Sequence, residues 1–242
     1  MKHISFALLL SGLLYADTIG GEVSLGLFNH SAEGTTRYQA LRSVDVVDTL
    51  GYGDSQDIFL QAYIEHPFPL FPNVKLSYNP LSHSDTALVS NFSWGDIDNY
   101  NGRLESSLAM DYTDATFYYE LLDNWVEIDA GFTFRYLNGT MNTQTTRGND
   151  SVSYATLFPL LYGKARFNIP STDLSLQAEA NILSLSSTTS YDYALSARYT
   201  LEFGLGLEAG YKLFHVDSDD LENGFRVDTS FSGVYAAAVW DF

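Results

Sequence analysis

Residues 191–203 read Tyr-Asp-Tyr-Ala-Leu-Ser-Ala-Arg-Tyr-Thr-Leu-Glu-Phe, with an apolar or aromatic side chain at every odd position. Strict alternation with a period of two is typical of a β-strand that has one apolar and one polar face. The run is longer than the roughly 5–6 residues usual for strands of soluble sheets. It is also long enough for a tilted strand to cross a bilayer, which takes about 9–11 residues. The stretch therefore predicts a membrane-spanning strand.

The same alternation recurs along the chain, for example over residues 126–136, 58–65 and 207–213. Together with the turn-forming residues between the runs, it predicts ten strands, near residues 19–28, 57–66, 73–90, 104–121, 125–137, 151–168, 173–186, 190–203, 206–217 and 226–242. An even number leaves both chain ends on one side of the membrane, as in bacterial barrels. We therefore predict an all-β fold, an antiparallel up-and-down transmembrane β-barrel of about ten strands, with eight or twelve as alternatives.

The composition excludes several classes of function. Only 17% of the 242 residues are charged, against about 25% in an average soluble domain. The 30 acidic residues outnumber the 12 basic ones and give a net charge of −18. Nucleic-acid binding is not expected, because phosphate affinity requires clustered Lys and Arg. The chain has no Cys, which excludes disulfides, thiolate metal sites and cysteine nucleophiles.

The first sixteen residues have the pattern of a secretory signal peptide. A short basic segment, residues 1–3, precedes an apolar run at residues 4–14, and Ala16 offers a small residue at the cleavage point. The run is too short to cross the bilayer as a helix, which needs about 20 apolar residues. We therefore predict a signal peptide at residues 1–16 and a barrel domain at residues 17–242.

The connections predict the orientation and the location. On the side of the chain ends they are short, at residues 67–72, 122–124, 169–172 and 204–205. On the opposite side they are mostly longer and polar, at residues 29–56, 91–103, 138–150, 187–189 and 218–225. Short periplasmic turns and longer external loops are typical of barrels in the bacterial outer membrane, which is the predicted location.

Two segments fit this scheme poorly. Within residues 104–121 the apolar positions change from even to odd numbers near Asp111–Asp114, which predicts a β-bulge there or a junction of two shorter strands. Within residues 41–56, Leu41, Val44, Val47 and Leu50 recur at every third position. That spacing predicts a short helix that ends at Gly51 and lies in the first loop or folds into the lumen.

The last strand carries the most specific feature. Trp240 and the final Phe242 lie on one face of an alternating strand. Such an ending resembles the signal read by the outer-membrane assembly machinery, which is therefore an expected partner. Trp125 and Trp240 both fall at predicted periplasmic strand ends, where an aromatic girdle belongs.

Several stretches also resemble one family. They are residues 65–78, 117–131, 157–163 and 210–214, which include the turn Pro67-Phe-Pro-Leu-Phe-Pro72. They are similar to those of a family of small integral outer-membrane β-barrel proteins of Gram-negative bacteria, over the whole mature chain. The resemblance implies a barrel in the outer membrane and brings no assigned activity, so that no functional residue carries over.

Strand parity places most of the charged residues on the face opposite the lipid. The predicted luminal charges are Glu127, Asp129, Arg135, Lys164, Arg166, Arg198, Glu202, Glu208 and Lys212, with Glu65, Lys75 and Glu179 on the same face. Barrels of about eight strands are filled by side chains, whereas those of about sixteen leave an aqueous channel. A ten-stranded barrel with a mixed-charge interior therefore favours a salt-bridged plug over an open pore.

These observations predict a monomeric barrel in contact with outer-membrane lipid and lipopolysaccharide, without a cofactor, whose role is structural or narrow, porin-like passive transport. The alternative is a surface binding module whose acidic loops contact divalent cations or lipopolysaccharide. A more distant alternative is an omptin-like protease built on Asp96, Asp98, His215 and Asp217, but the order His-x-Asp is the reverse of that in omptins. No enzymatic activity is therefore expected, and His30, His66 and His83 are expected at the surface.

Overall fold

The structure is a computed structural model that describes residues 20–68, 70–185 and 187–242. The predicted signal peptide, residues 1–16, lies outside these ranges. The strands are β1 (Gly20–Tyr38), β2 (Val44–Asp45), β3 (Ser55–Glu65), β4 (Asn73–Asn79), β5 (Ser82–Trp94), β6 (Ile97–Asp123), β7 (Val126–Thr145), β8 (Gly148–Asn168), β9 (Leu174–Leu185), β10 (Thr188–Thr200), β11 (Leu205–Ser218) and β12 (Phe225–Asp241). The described residues contain no helix.

All twelve strands belong to one antiparallel sheet that closes on itself, because β12 pairs with β1 from Asp241 to Phe225. β2 has only two residues. β4 and β5 are consecutive partners of β6 and together occupy one place in the ring. Ten strand positions therefore make up the wall, and the predicted all-β antiparallel barrel of about ten strands is confirmed.

The outer wall has two zones. Near the end where β1 begins and β12 ends, here called the lower end, outward-facing side chains form an apolar belt. Leu25, Phe132 and Leu207 are about 57%, 57% and 70% exposed there. Nearer the upper end the outward positions carry short polar residues such as Ser84, Asn142 and Ser153. The inward positions change in the opposite sense, from charged in the lower half to apolar in the upper half.

This reversal explains the change of parity in β6. The predicted bulge near Asp111–Asp114 is wrong, and so is the alternative of two shorter strands that meet there, because β6 is one strand from Ile97 to Asp123 with no register shift at these residues. The even-numbered residues of β6 face inward in both halves: Leu108 and Met110 lie in the upper half, Asp114 and Thr116 in the lower half. The apolar positions change parity because the outward-facing positions are apolar in the belt and polar above it, while the inward-facing positions change in the opposite sense. The single register shift between β6 and β7 lies lower, between Glu120 and Leu122.

The upper connections are also shorter than predicted. Residues 91–103 and 138–150, expected as loops, are largely strand, because the β5–β6 and β7–β8 hairpins extend far above the belt. Residues 41–56 form no helix: they contain β2 and then a turn at residues 46–50. Leu41 is exposed, whereas Val46 and Leu50 are fully buried, so this segment packs inward.

The β5–β6 hairpin bends over the tops of β1 and β12. Its register with β6 shifts twice, between Val89 and Phe92 and again before Trp94, and such bulges bend a strand. The amide of Gly95, which has a positive φ of 53°, donates to the carbonyl of Tyr38 at 2.9 Å. The ring of Trp94, fully buried, lies 6.0 Å from that of Tyr38 and 5.8 Å from that of Phe225.

Candidate functional site

The interior of the barrel is the candidate site, because nearly all the buried charge of the described chain lies there. In its lowest layer the guanidinium of Arg198 on β10 donates to both carboxylate oxygens of Glu22 on β1, at 2.6 and 2.8 Å. The same guanidinium donates to Glu208 on β11 at 2.8 Å. Arg166 on β8 extends the layer, 3.4 Å from Glu22 and 3.4 Å from Glu127. Five strands are thereby joined across the lower lumen.

The next layer contains two lysines. Lys75 on β4 forms an ion pair with Glu179 on β9, on the other side of the lumen. Tyr63 also donates to Glu179, at 3.1 Å. Lys164 pairs with Asp129 on the neighbouring strand at 2.7 Å. Each buried ammonium group of this layer therefore has a carboxylate partner, which offsets part of the cost of removing it from water.

Arg135 closes the charged zone at its top. Its guanidinium holds both oxygens of Asp114 at 2.8 and 2.7 Å and lies 2.6 Å from Asp192. The ring of Tyr112 lies 4.2 Å from the guanidinium carbon, a cation–π geometry. A planar guanidinium can bridge two carboxylates in this way, whereas a lysine ammonium offers no matching fork.

Above Arg135 the lumen is filled by apolar side chains. Phe214 and Phe231 stack with ring centroids 6.2 Å apart, and Tyr112 contacts Phe214 at 4.8 Å. Other fully buried members of this apolar plug include Trp94, Leu104, Leu108, Met110, Leu137, Met141, Val216, Phe225 and Val227. The cavity left between the charged layers and the plug measures about 30 Å³, enough for one or two water molecules.

Lys212 lies beside this cavity. Its ammonium group is 3.5 Å from the ring centroid of Phe59 and 5.1 Å from that of Tyr235, and it donates to Asn79 at 3.3 Å. It thus contacts aromatic faces rather than a carboxylate. Lys75 and Lys164 also lie near tyrosine rings, so that cation–π contacts recur in the lumen.

Most of the luminal charges face inward as the parity of the strands predicts. These are Glu127, Asp129, Arg135, Lys164, Arg166, Arg198, Glu208 and Lys212. Glu202 does not: β10 ends at Thr200, and Glu202 lies exposed in the turn before β11. Sequence reasoning missed three carboxylates that complete the layers, Glu22, Asp114 and Asp192. Glu22 and Asp192 occupy polar positions of alternating strands, so the alternation could have identified them, whereas Asp114 lies where the apolar positions of β6 change parity.

Trp240 and Phe242 lie exposed at the lower end, with ring centroids 5.1 Å apart. The backbone of Phe242 exchanges two hydrogen bonds of 2.8 Å with Gly21. The phenyl ring of Phe242 also covers Gly21, where a Cβ atom would lie only 2.7 Å from it. The terminal residue thus takes part in closing the barrel, while recognition by the assembly machinery stays a prediction.

Several acidic residues near the upper end accept hydrogen bonds from backbone amides. The Asp45 carboxylate accepts from Val47 and Asp48 at 2.8 and 2.7 Å. In the same way Asp150 accepts from Asp96 at 2.6 Å, Asp220 from Gly224 at 2.9 Å and Glu222 from Ala155 at 2.7 Å. Within the described ranges no group of three His, Asp or Glu side chains has the arrangement of a metal site.

The four residues considered for an omptin-like site are not brought together. Asp96 and Asp98 lie at the tip of the β5–β6 hairpin, where Asp98 accepts from Ser93 at 2.9 Å. His215 and Asp217 lie on the outward-facing side of β11, since Phe214 and Val216 face inward. The imidazole of His215 instead contacts the Ser230 hydroxyl at 2.9 Å. Two other histidines, His30 and His83, are buried rather than exposed.

Comparison with known proteins supports the fold and no specific activity. No protein-family model matches the sequence, and no curated protein matches it. The outer membrane protease OmpT from Escherichia coli is 11% identical, with a TM-score of 0.52, and the match covers 94% of this chain and 98% of that one.

Two further structures have lower TM-scores. Ail of Yersinia pestis, solved in complex with the heparin analogue sucrose octasulfate, is 9% identical, with a TM-score of 0.43 and coverage of 93% of this chain and 100% of that one. A major outer membrane protein from Thermus thermophilus is 13% identical, with a TM-score of 0.40 and the same coverage. At such identities only the fold is shared. The chain has the fold of a bacterial outer-membrane β-barrel protein.

Proposed function

We propose that this chain is an integral β-barrel of the bacterial outer membrane whose lumen is closed. In this role it is a structural membrane protein that displays its upper half outside the cell, and it is not a route for passive diffusion. The observation that carries the proposal is the filling of the lumen, by cross-barrel ion pairs in the lower half and by the apolar plug above. No catalytic role is part of the proposal, because His215 and Asp217 face away from the lumen.

The apolar belt supports residence in a bilayer. In water its exposed Leu, Ile and Phe side chains would form a large apolar patch of a kind that soluble monomers rarely display. Aromatic side chains border the belt, with Trp125 and Trp240 near the lower edge and Tyr136 and Tyr193 near the upper edge. Amphipathic aromatic rings are enriched at both membrane interfaces.

The connections support the orientation. Those at the lower end are short, such as residues 124–125 between β6 and β7 and residues 201–204 between β10 and β11. In bacterial barrels the short turns face the periplasm. The upper half, with its polar outer wall and acidic loops, would then face outward, and the belt would contact outer-membrane lipid and lipopolysaccharide. The closed ring leaves no free edge in the belt, which favours a monomer.

Quenching of tryptophan fluorescence by brominated lipids tests this placement, because the chain has only three Trp residues. Trp125 and Trp240 are 59% and 55% exposed at the belt, whereas Trp94 is fully buried above it. We expect strong quenching of the chain in vesicles and its loss when Trp125→Phe and Trp240→Phe are combined. The matched control, Trp94→Phe, should remain quenched. Quenching that depends on Trp94 would contradict the placement.

A further inference from the structure

The connection between β3 and β4 at the lower end, residues 66–72, is unusually apolar. Its sequence, His66-Pro-Phe-Pro-Leu-Phe-Pro72, contains three prolines and no Asp, Glu, Lys or Arg. Phe68, Leu70 and Phe71 are about 61%, 85% and 66% exposed. The other three lower connections each contain or directly follow a carboxylate, namely Asp123, Asp173 and Glu202. Turns in contact with water usually carry polar residues such as Asn, Asp and Ser, so this composition indicates a different environment.

The turn lies on the outer side of the wall. Tyr118 of β6 is fully buried in the lumen, so that its neighbour Tyr119 faces outward. The hydroxyl of Tyr119 donates to the backbone carbonyl of Leu70 at 3.2 Å. Because the Tyr119 side chain extends from the outer face of the sheet, this contact places Leu70 beside the belt rather than across the mouth of the lumen.

The imidazole of His66 helps to fix the shape of the turn. Its Nε2 lies 3.1 Å from the backbone carbonyl of Pro72, and its Nδ1 lies 3.2 Å from the backbone nitrogen of Phe68. A carbonyl only accepts and an amide only donates, so a neutral imidazole with its single proton on Nε2 satisfies both contacts. The amide of Phe71 also donates to the carbonyl of Phe68, at 3.2 Å. The exposed side chains are therefore held by a pre-organised backbone.

These side chains extend the apolar belt downward. Ile64 of β3, Leu76 of β4 and Phe117 of β6 face outward above the turn and are about half-exposed. Leu121 is exposed near the lower end of β6, and Trp125 follows at the start of β7. Aromatic and Leu side chains at the edge of an apolar surface favour the boundary between acyl chains and headgroups. Continuity with the belt therefore identifies lipid as the matching partner of the turn.

We propose that residues 66–72 form a lipid anchor, in which Phe68, Leu70 and Phe71 insert between the phospholipids of the leaflet at the lower end. The inference rests on the proposed membrane placement and adds a defined lipid contact to it. The occupant is phospholipid rather than a folded partner because the apolar side chains continue the belt and the turn has no carboxylate, Lys or Arg for a specific ion pair. Prolines reduce the entropy lost when such a turn is fixed.

Brominated lipids test the anchor through the gain of a signal. With Trp125→Phe and Trp240→Phe combined, the quenching described above should be lost. Adding Phe71→Trp to that chain exchanges one exposed aromatic ring for another and should restore quenching in vesicles. We expect lipids brominated near the headgroup to quench it more strongly than lipids brominated near the end of the acyl chain. Leu41→Trp, in an exposed upper connection, is the matched control and should leave the chain unquenched.

The outcomes separate this anchor from the membrane placement. A chain with only Trp240→Phe keeps Trp125 at the belt, so its quenching reports the placement alone. If that chain is quenched and the Phe71→Trp chain is not, the barrel lies in the membrane without the anchor, and the proposal fails. If neither is quenched, the placement and the anchor fail together.

Two other results would overturn the anchor. Stronger quenching of Phe71→Trp by the deep bromines would place the turn in the hydrocarbon core. Shielding of Phe71→Trp from both the lipid bromines and aqueous acrylamide would indicate contact with a second copy of the chain. Should Phe71→Trp not fold, as judged by gel mobility without heating, Phe68→Trp serves as the probe with the same expected results.

Discussion

Replacing Arg135 with alanine should lower the free energy of unfolding by about 3–5 kcal/mol, the usual cost of removing one partner from a buried ion pair. The guanidinium is completely buried and is the shared partner of Asp114 and Asp192. Without it, two carboxylates would remain in the lumen with no compensating charge. Urea unfolding from lipid vesicles, followed by gel mobility without heating, measures the change.

Arg103→Ala is the matched control for this variant. Its ion pair with Glu105 is solvent-exposed, at 65% and 53% for the two side chains, and exposed pairs contribute about 0–1 kcal/mol. The control should therefore unfold almost like the unmodified chain. Equal losses for Arg135→Ala and Arg103→Ala would show that the cross-barrel ion pairs do not hold the lower lumen together.

Trp94→Ala should destabilise the upper half by a similar amount, about 3–5 kcal/mol for a large buried aromatic residue. The indole fills the space between Tyr38 and Phe225 beneath the bent hairpin. Its removal would leave a cavity and loosen the tip of the β5–β6 hairpin. Thermolysin should therefore cut residues 89–103 faster than in the unmodified chain. Trp125→Ala, which removes a lipid-exposed ring, should leave that cleavage rate unchanged. If thermolysin did not cut the β5–β6 hairpin of Trp94→Ala faster, the packing of Trp94 would not be what holds the hairpin in place.

The membrane-spanning part of this fold could be predicted from the sequence because lipid imposes a simple rule. In residues 191–199 the side chains at odd positions, which are all apolar or aromatic, face outward and Arg198 faces the lumen, so alternation alone indicates both strand and orientation. The predicted ranges for the ten strand positions accordingly overlap the observed ones throughout. Glu202 was misplaced because the alternation continues to Phe203, three residues beyond the end of β10.

Above the belt the same rule fails, since the outside there is water. Apolar residues of the upper part of β6, such as Leu104 and Leu108, face inward. The apolar positions therefore change parity along one continuous strand, which in the sequence looks the same as a β-bulge. The outward-facing residues in the upper parts of β5, β6, β7 and β8 are polar, so that the sequence of these parts resembles that of loops. His30 was expected in the first loop, but β1 continues to Tyr38. Its contact with His83, 53 positions away in sequence, depends on long-range pairing that no local pattern reports.

Ion conductance in a planar lipid bilayer tests the closed lumen most directly. The sample should be residues 17–242, refolded in detergent, with its folding shown by gel mobility without heating and its insertion by tryptophan quenching. The ion pairs of Arg198, Lys75 and Arg135, with the apolar plug above them, predict a flat current without steps. Stable, reproducible single-channel steps from the inserted protein would show a continuous water path and would contradict the account.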